Sequence, residues 1–139
     1  LMFKENGELR AYCSWRRGYS LQKDRPSKQL LPTGVGGVLY PPHSIPNDAF
    51  NKKAIFDTCL YCDDLWLKVW TIHNGYSAVC IANTCEAIEI DGTQETALWR
   101  RNVNHDNNDE AMERILKYYK EHNPDKDWVK DVWKDIFNI

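Results

Sequence analysis

No run of about eighteen apolar residues occurs anywhere in this chain, which excludes a helix that spans a membrane. There is no block of basic residues either. The net charge is −2 with both signs scattered, so nothing is placed to neutralise a row of phosphates and nucleic acid is not an expected partner. Internal repeats, low-complexity tracts and a dividing linker are all missing. No secretory leader is visible, because Leu1-Met2-Phe3 is followed at once by Lys4-Glu5-Asn6-Gly7. Together these absences predict a cytoplasmic protein, with a membrane-peripheral location still compatible. Opening on Leu1, the chain is expected to be a piece excised from something longer.

Cysteine is sparse and odd in number, five in 139 residues at irregular spacing, which argues against a secreted disulfide framework. Cys59-Leu60-Tyr61-Cys62 has the C-x-x-C form, and Cys80 with Cys85 could complete four zinc ligands. The second pair has four intervening residues, however, and neither knuckle holds a glycine or a basic residue. Reduced, buried thiols are the plainer expectation. The four histidines share no spacing that suggests a metal site.

Against those absences stand a hydrophobic content of 42% and a charged content of 27%, enough to bury a core in one domain. Tryptophan is abundant: Trp15, Trp66, Trp70, Trp99, Trp128 and Trp133. Four of them fall on apolar helical stripes and should be core. Trp15 and Trp99, each beside an arginine pair, are better candidates for exposed rings.

Periodicity predicts a mixed α/β domain, a small mixed sheet with four to five helices. Glu8–Ser14 alternates as a strand, and 15–32 is a long polar loop carrying Arg16, Arg17 and Arg25. Gly36–Tyr40 is read as a buried strand ended by Pro41-Pro42. Asn47 or Asp48 caps a helix over Ala49–Cys59 with Phe50, Ile55 and Phe56 on its apolar face. A second helix runs from Asp63 or Asp64 to His73 and stops at Asn74-Gly75. Ser77–Ala82 and Glu86–Ile90 are predicted strands, and Thr93–Arg100 a short helix. Asp109–His122 and a segment opened by Pro124-Asp125 are the last two helices, the latter striped by Trp128, Val132, Trp133, Ile136 and Phe137.

Read in order, Pro32-Thr33-Gly34-Val35-Gly36-Gly37-Val38-Leu39-Tyr40-Pro41-Pro42, Phe50-Asn51, Asp63-Asp64-Leu65-Trp66-Leu67-Lys68 and Asn74-Gly75 resemble a group of bacterial GT-A glycosyltransferases. Many of that group act in capsule or surface-polysaccharide synthesis. Gly92-Thr93-Gln94-Glu95-Thr96-Ala97-Leu98-Trp99 and Asn108-Asp109-Glu110 resemble its C-terminal part. The resemblance implies transfer of a sugar from a nucleotide-sugar donor to a hydroxyl of a glycan acceptor. Such enzymes hold the donor in a Rossmann-like half, usually through an Asp-x-Asp motif and a divalent metal. The one such triplet here, Asp125-Lys126-Asp127, opens a helix after Pro124 and reads as a cap. The chain is therefore expected to be the acceptor-side, C-terminal portion of such an enzyme, inactive alone. It carries no cofactor itself, and Mn or Mg belongs to the missing half.

Within that resemblance Asp64 is the candidate general base that takes the acceptor's proton, with Asp63 in support. Neighbouring carboxylates repel, which raises the proton affinity of one of them. The alternative is that Asp63 caps the helix and Asp64 favours its positive end, without catalysis. Gly34, Gly36 and Gly37 are candidate substrate contacts through their amides, or only a tight turn. Trp66, Gln94 and Glu95 are further candidate substrate contacts. No residue is assigned to a metal.

Two other functions compete. A thiol-redox or zinc-binding domain would use Cys59 and Cys62, although Asp63-Asp64 would raise the thiol pKa. A non-catalytic carbohydrate-binding module would use exposed tryptophans, although such modules are usually all-β.

Overall fold

In the computed structural model residues 2–15, 24–81, 90–93, 95 and 107–137 are described, Phe137 by its backbone alone, and their regular structure is helical. Among these residues four α-helices follow in order: α1 Lys52–Thr58, α2 Asp63–His73, α3 Asn107–His122 and α4 Trp128–Phe137. Three one-turn 3-10 helices precede them, at Tyr12–Ser14, Gly34–Gly36 and Asn47–Phe50.

Helix α2 is central. It packs on α3, on α4 and on the Asn47–Phe50 turn, while α1 and α4 each also lie against α3. Leu65, Trp66, Val69, Trp70 and Ile72 face Ala111, Met112, Ile115 and Tyr119 of α3 and Trp128 and Val132 of α4, and all are buried. Met2 and Phe3 from the start of the chain complete this core. Two of the buried indoles still satisfy their N–H groups. Trp66 donates to the carbonyl of Ala49 at 2.8 Å and Trp128 to that of Val69 at 3.2 Å. Burying a ring this way adds apolar area without stranding a donor.

Local chemistry explains the helix ends. Asn51 caps α1, its Oδ1 accepting from the Ala54 N–H at 3.2 Å. Gly75, at φ +86°, stops α2 and donates to the Ile72 carbonyl. Asp127 Oδ1 accepts from the Lys130 N–H at 3.1 Å, so this member of the only Asp-x-Asp triplet is a helix cap, as its position after Pro124 suggested.

The expected α/β sheet is corrected. Among the described residues there is no strand, only single antiparallel bridges, Phe3 with Leu9 and Ser27 with Ala78. Glu8–Ser14 yields one such bridge and then a one-turn helix. Gly36–Tyr40 is not a buried strand: Val35 is 84% and Leu39 92% exposed. The physical reason is that a strand's amides must bond to a neighbouring strand, and no such neighbour stands beside this segment among the described residues. The predicted helix over Ala49–Cys59 is also broken, by Asn51, into the 3-10 turn and α1. Phe50 and Phe56, expected on its buried face, are 64% and 65% exposed. Most of Glu86–Ile90 and Thr93–Arg100 lies outside the described residues, as do Arg16 and Arg17.

Candidate functional site

The acidic pair sits in the first turn of α2, after Cys62, whose side chain makes no cap hydrogen bond. Asp63 is exposed and Asp64 half-buried. Asp64 does not cap its own helix. Its Oδ1 accepts from the Gly34 N–H at 3.1 Å, tying α2 to the glycine turn thirty positions earlier in the chain. The second carboxylate oxygen of Asp64 has no hydrogen-bond partner among the described residues.

Three effects act on this carboxyl. Partial burial raises its pKa, the Gly34 N–H lowers it, and the charge of Asp63 raises it, with the net direction upward. Two tyrosines stand within reach of its field. The Tyr12 hydroxyl is pushed up by burial and by Asp64, then by Cys62. That of Tyr40 is pushed up by burial and by Asp64, then by Asp63. Asp109 at the start of α3 accepts from the Tyr12 backbone N–H at 2.8 Å, which holds the first segment of the chain against the helices. The resulting site gathers Tyr12, Gly34, Tyr40, Asp63 and Asp64. A carboxylate with one oxygen anchored and its proton affinity raised is chemically suited to accept a proton.

The glycines act differently from their expected role as amide donors to a ligand. Gly34 donates to Asp64, Gly36 to the Thr33 carbonyl at 3.2 Å and Gly37 to the Gly34 carbonyl at 3.0 Å, so all three N–H groups are committed within the fold. Gly37, at φ +79° and ψ 129°, occupies backbone space that only glycine enters readily. Gly36 has no such constraint, and a Cβ there would meet nothing within 4 Å.

Trp66 is not available to a ligand. At 2% exposure, with its N–H bonded to Ala49, it is core. Glu95 is exposed and no described contact joins it to Asp64, while Gln94 lies outside the described residues. Trp15 is half-buried against Tyr12, ring centroids 5.0 Å apart, with its N–H donated to the Arg10 carbonyl.

Cys59 and Cys62 are held away from solvent, whereas Cys13 is exposed and Cys80 half-exposed. Cys59 and Cys62 are 2% and 7% exposed, and burial pushes the Cys59 thiol up to about 11. The Cys62 thiol is raised as well, again chiefly by burial. A thiol so protonated at neutral pH is a poor nucleophile. Among the described residues no three His, Cys, Asp or Glu side chains converge to hold a metal ion.

Sequence reasoning missed one buried cation. Lys68, on α2 and 3% exposed, donates to the Leu30 carbonyl at 2.6 Å and has no carboxylate partner among the described residues. Burial, helped by the charge of Lys28, lowers its pKa to about 7. Its position among Leu67, Val69 and Trp70 was the available signal, since a lysine inside an apolar stripe is either paired or neutral. The effect of Asp64 on Tyr12 and Tyr40 carried no such signal, because it arises between segments far apart in sequence.

No described helix is long and apolar enough to cross a membrane. No family model, curated protein or solved structure matches the chain.

Proposed function

We propose that this chain supplies the acceptor side of a glycosyltransferase, with Asp64 as the general base. The observation that carries the reading is the bond between Asp64 and Gly34. Two separate parts of the motif series that resembles glycosyltransferases meet at one carboxylate, which keeps its second oxygen without a protein partner among the described residues. The reading rests on this site and not on the fold, since the described residues hold no sheet and fold alone would not specify chemistry.

In this scheme a hydroxyl of a saccharide acceptor lies against the open oxygen of Asp64. As the acceptor oxygen bonds to the anomeric carbon of the donor, its proton passes to Asp64. The bond from that carbon to the nucleoside diphosphate breaks, and the diphosphate leaves with the electron pair. The Gly34 amide fixes the orientation of the carboxylate, and Asp63 favours the protonated product by its charge. In this reading the donor, a nucleotide sugar, is held by a nucleotide-binding half outside these 139 residues. The proton transfer assigned to Asp64 uses no metal ion. A cytoplasmic setting, where nucleotide sugars are made, accords with this scheme.

The test is release of nucleoside diphosphate from a panel of nucleotide sugars, with and without saccharide acceptors, by the polypeptide that contains this chain together with its donor-binding half. Asp64→Asn is expected to lower acceptor-dependent release by about 100-fold to 10,000-fold. The rate of the parent should fall on an acid limb lying above the ordinary carboxylate value, because the pKa of Asp64 is raised. If Asp64→Asn transfers sugar as fast as the parent, the assignment is wrong.

A further inference from the structure

A second feature lies on another face of α2, where the fold forms an open cleft of about 460 Å³. The volume falls within the range of small-ligand sites. Its walls come from three elements: the Asn47–Phe50 turn with Asn51, Trp70 of α2, and the end of α3. Trp70 lies six residues beyond Asp64, about 9 Å along the helix axis.

The cleft combines exposed aromatic surface with polar groups that have hydrogen-bonding capacity to spare among the described residues. Phe50 is 64% exposed. Tyr118 and His122 stack on one another with centroids 3.9 Å apart and planes 26° apart. Asn51 donates to the Tyr118 hydroxyl at 3.3 Å, fixing that ring and leaving the hydroxyl's own proton available. Neither the Asn47 amide nor the Asp48 carboxylate has a hydrogen-bond partner among the described residues. Among the described residues His122 bonds only through Nδ1, to the Tyr118 carbonyl at 2.9 Å, and the Asn123 side chain only through its nitrogen, to the Tyr119 carbonyl at 3.0 Å. Trp70, 2% exposed, keeps a buried indole N–H with no acceptor among the described residues.

These groups suit one ligand chemistry. Ring faces bind the C–H face of a pyranose, and side-chain amides offer a donor and an acceptor side by side for adjacent hydroxyls. No lysine or arginine lines the cleft, and the Asp48 carboxylate disfavours an anion there. We infer that the cleft formed by Asn47, Asp48, Phe50, Tyr118, His122 and Asn123 binds a neutral saccharide. In use the inference rests on the proposed glycosyl transfer, with the cleft anchoring a distal sugar of the acceptor whose reacting hydroxyl lies at Asp64. Binding itself does not depend on Asp64.

The test is titration of the 139-residue chain with neutral disaccharides (cellobiose, lactose and di-N-acetylchitobiose), followed by proton–nitrogen NMR. At least one of them is expected to shift the Trp70 indole signal and the side-chain amides of Asn47 and Asn123, with saturation. Phe50→Ala and Asn47→Ala, both at exposed positions, should each weaken that binding about threefold to tenfold, and Phe50→Tyr should retain it. Asp64→Asn should leave it unchanged, so a failed base assignment and a failed saccharide site give different results. The inference is overturned if no disaccharide moves these signals up to roughly 50 mM, where a millimolar site is saturated. It is equally overturned if the shifts persist at full affinity in both alanine variants, or if glucose 6-phosphate or glucosamine binds more tightly than every neutral sugar.

Discussion

The helical region and the glycine segment before it obey the same sequence rules, yet only one of them takes the form those rules predict. Asp63–His73 and the later helices appear close to their expected bounds, and their stripes of Leu65, Trp66, Val69, Trp70 and Ile115, Tyr119 form the core. Gly36–Tyr40, patterned as a buried strand, lies on the surface with Leu39 almost wholly exposed. A helix closes its hydrogen bonds inside its own segment and needs a neighbour only for its apolar face. A strand needs a neighbour for its backbone too. The contrast shows which parts of the pattern the described chain realises by itself and which require another segment.

Stability measurements can break or sharpen that contrast. The largest effect is expected at the core. Trp66→Ala should cost about 3–5 kcal/mol in denaturant unfolding, since it removes a buried indole and leaves the Ala49 carbonyl without its donor. A loss below about 1 kcal/mol would mean that α2 is not the centre of the fold.

Lys68 comes next and gives a pH signature. Its folded pKa, about 7, lies below the ordinary lysine value of 10.5, so between those values the unfolded state binds more protons than the folded one. Unfolding free energy should therefore rise with pH across about 7 to 10, by up to about 1.4 kcal/mol per pH unit, and the cost of burial should be complete below pH 7. Lys68→Met should flatten that rise. An unchanged slope in this variant would show that Lys68 is charged and paired in the folded protein.

The glycine turn should respond more weakly and unevenly. Gly37→Ala is expected to cost about 1–3 kcal/mol because of its backbone angles, whereas Gly36→Ala should change stability by less than about 0.5 kcal/mol. Leu39→Ser, at 92% exposure, belongs with the small effects. If Leu39→Ser were as costly as Trp66→Ala, the segment would be buried against a partner and the surface placement would be wrong.

The candidate site was legible to an unequal degree. The adjacency of Asp63 and Asp64 at a helix start was plain, because both lie within one local turn. That Asp64 would turn from its own helix to the Gly34 amide was not legible, since it depends on a loop folding back over thirty positions. Trp66 was misjudged as a ligand contact for a related reason: the same helical stripe that makes it core also places it two residues from the acidic pair. Several other residues of the motif series serve as links between elements. Asn51 caps α1, Asp109 holds Tyr12, and the Asn74 side chain bonds the His43 carbonyl. Those structural roles account for these residues without any ligand, which is why the functional weight falls on Asp64.

Sequence alone determined the ends of α2, the last residue of α3 and the apolar faces of both, because stop signals and a 3.6-residue period act within a few residues of one another. It also determined that no helix here could span a membrane. Only tertiary structure decided which carboxylate oxygen is held and which thiols are buried. It likewise decided that a lysine would enter the core and that a ring-lined cleft would open where α3 ends. Those outcomes depend on contacts between distant segments, whose desolvation and hydrogen bonding no local pattern encodes.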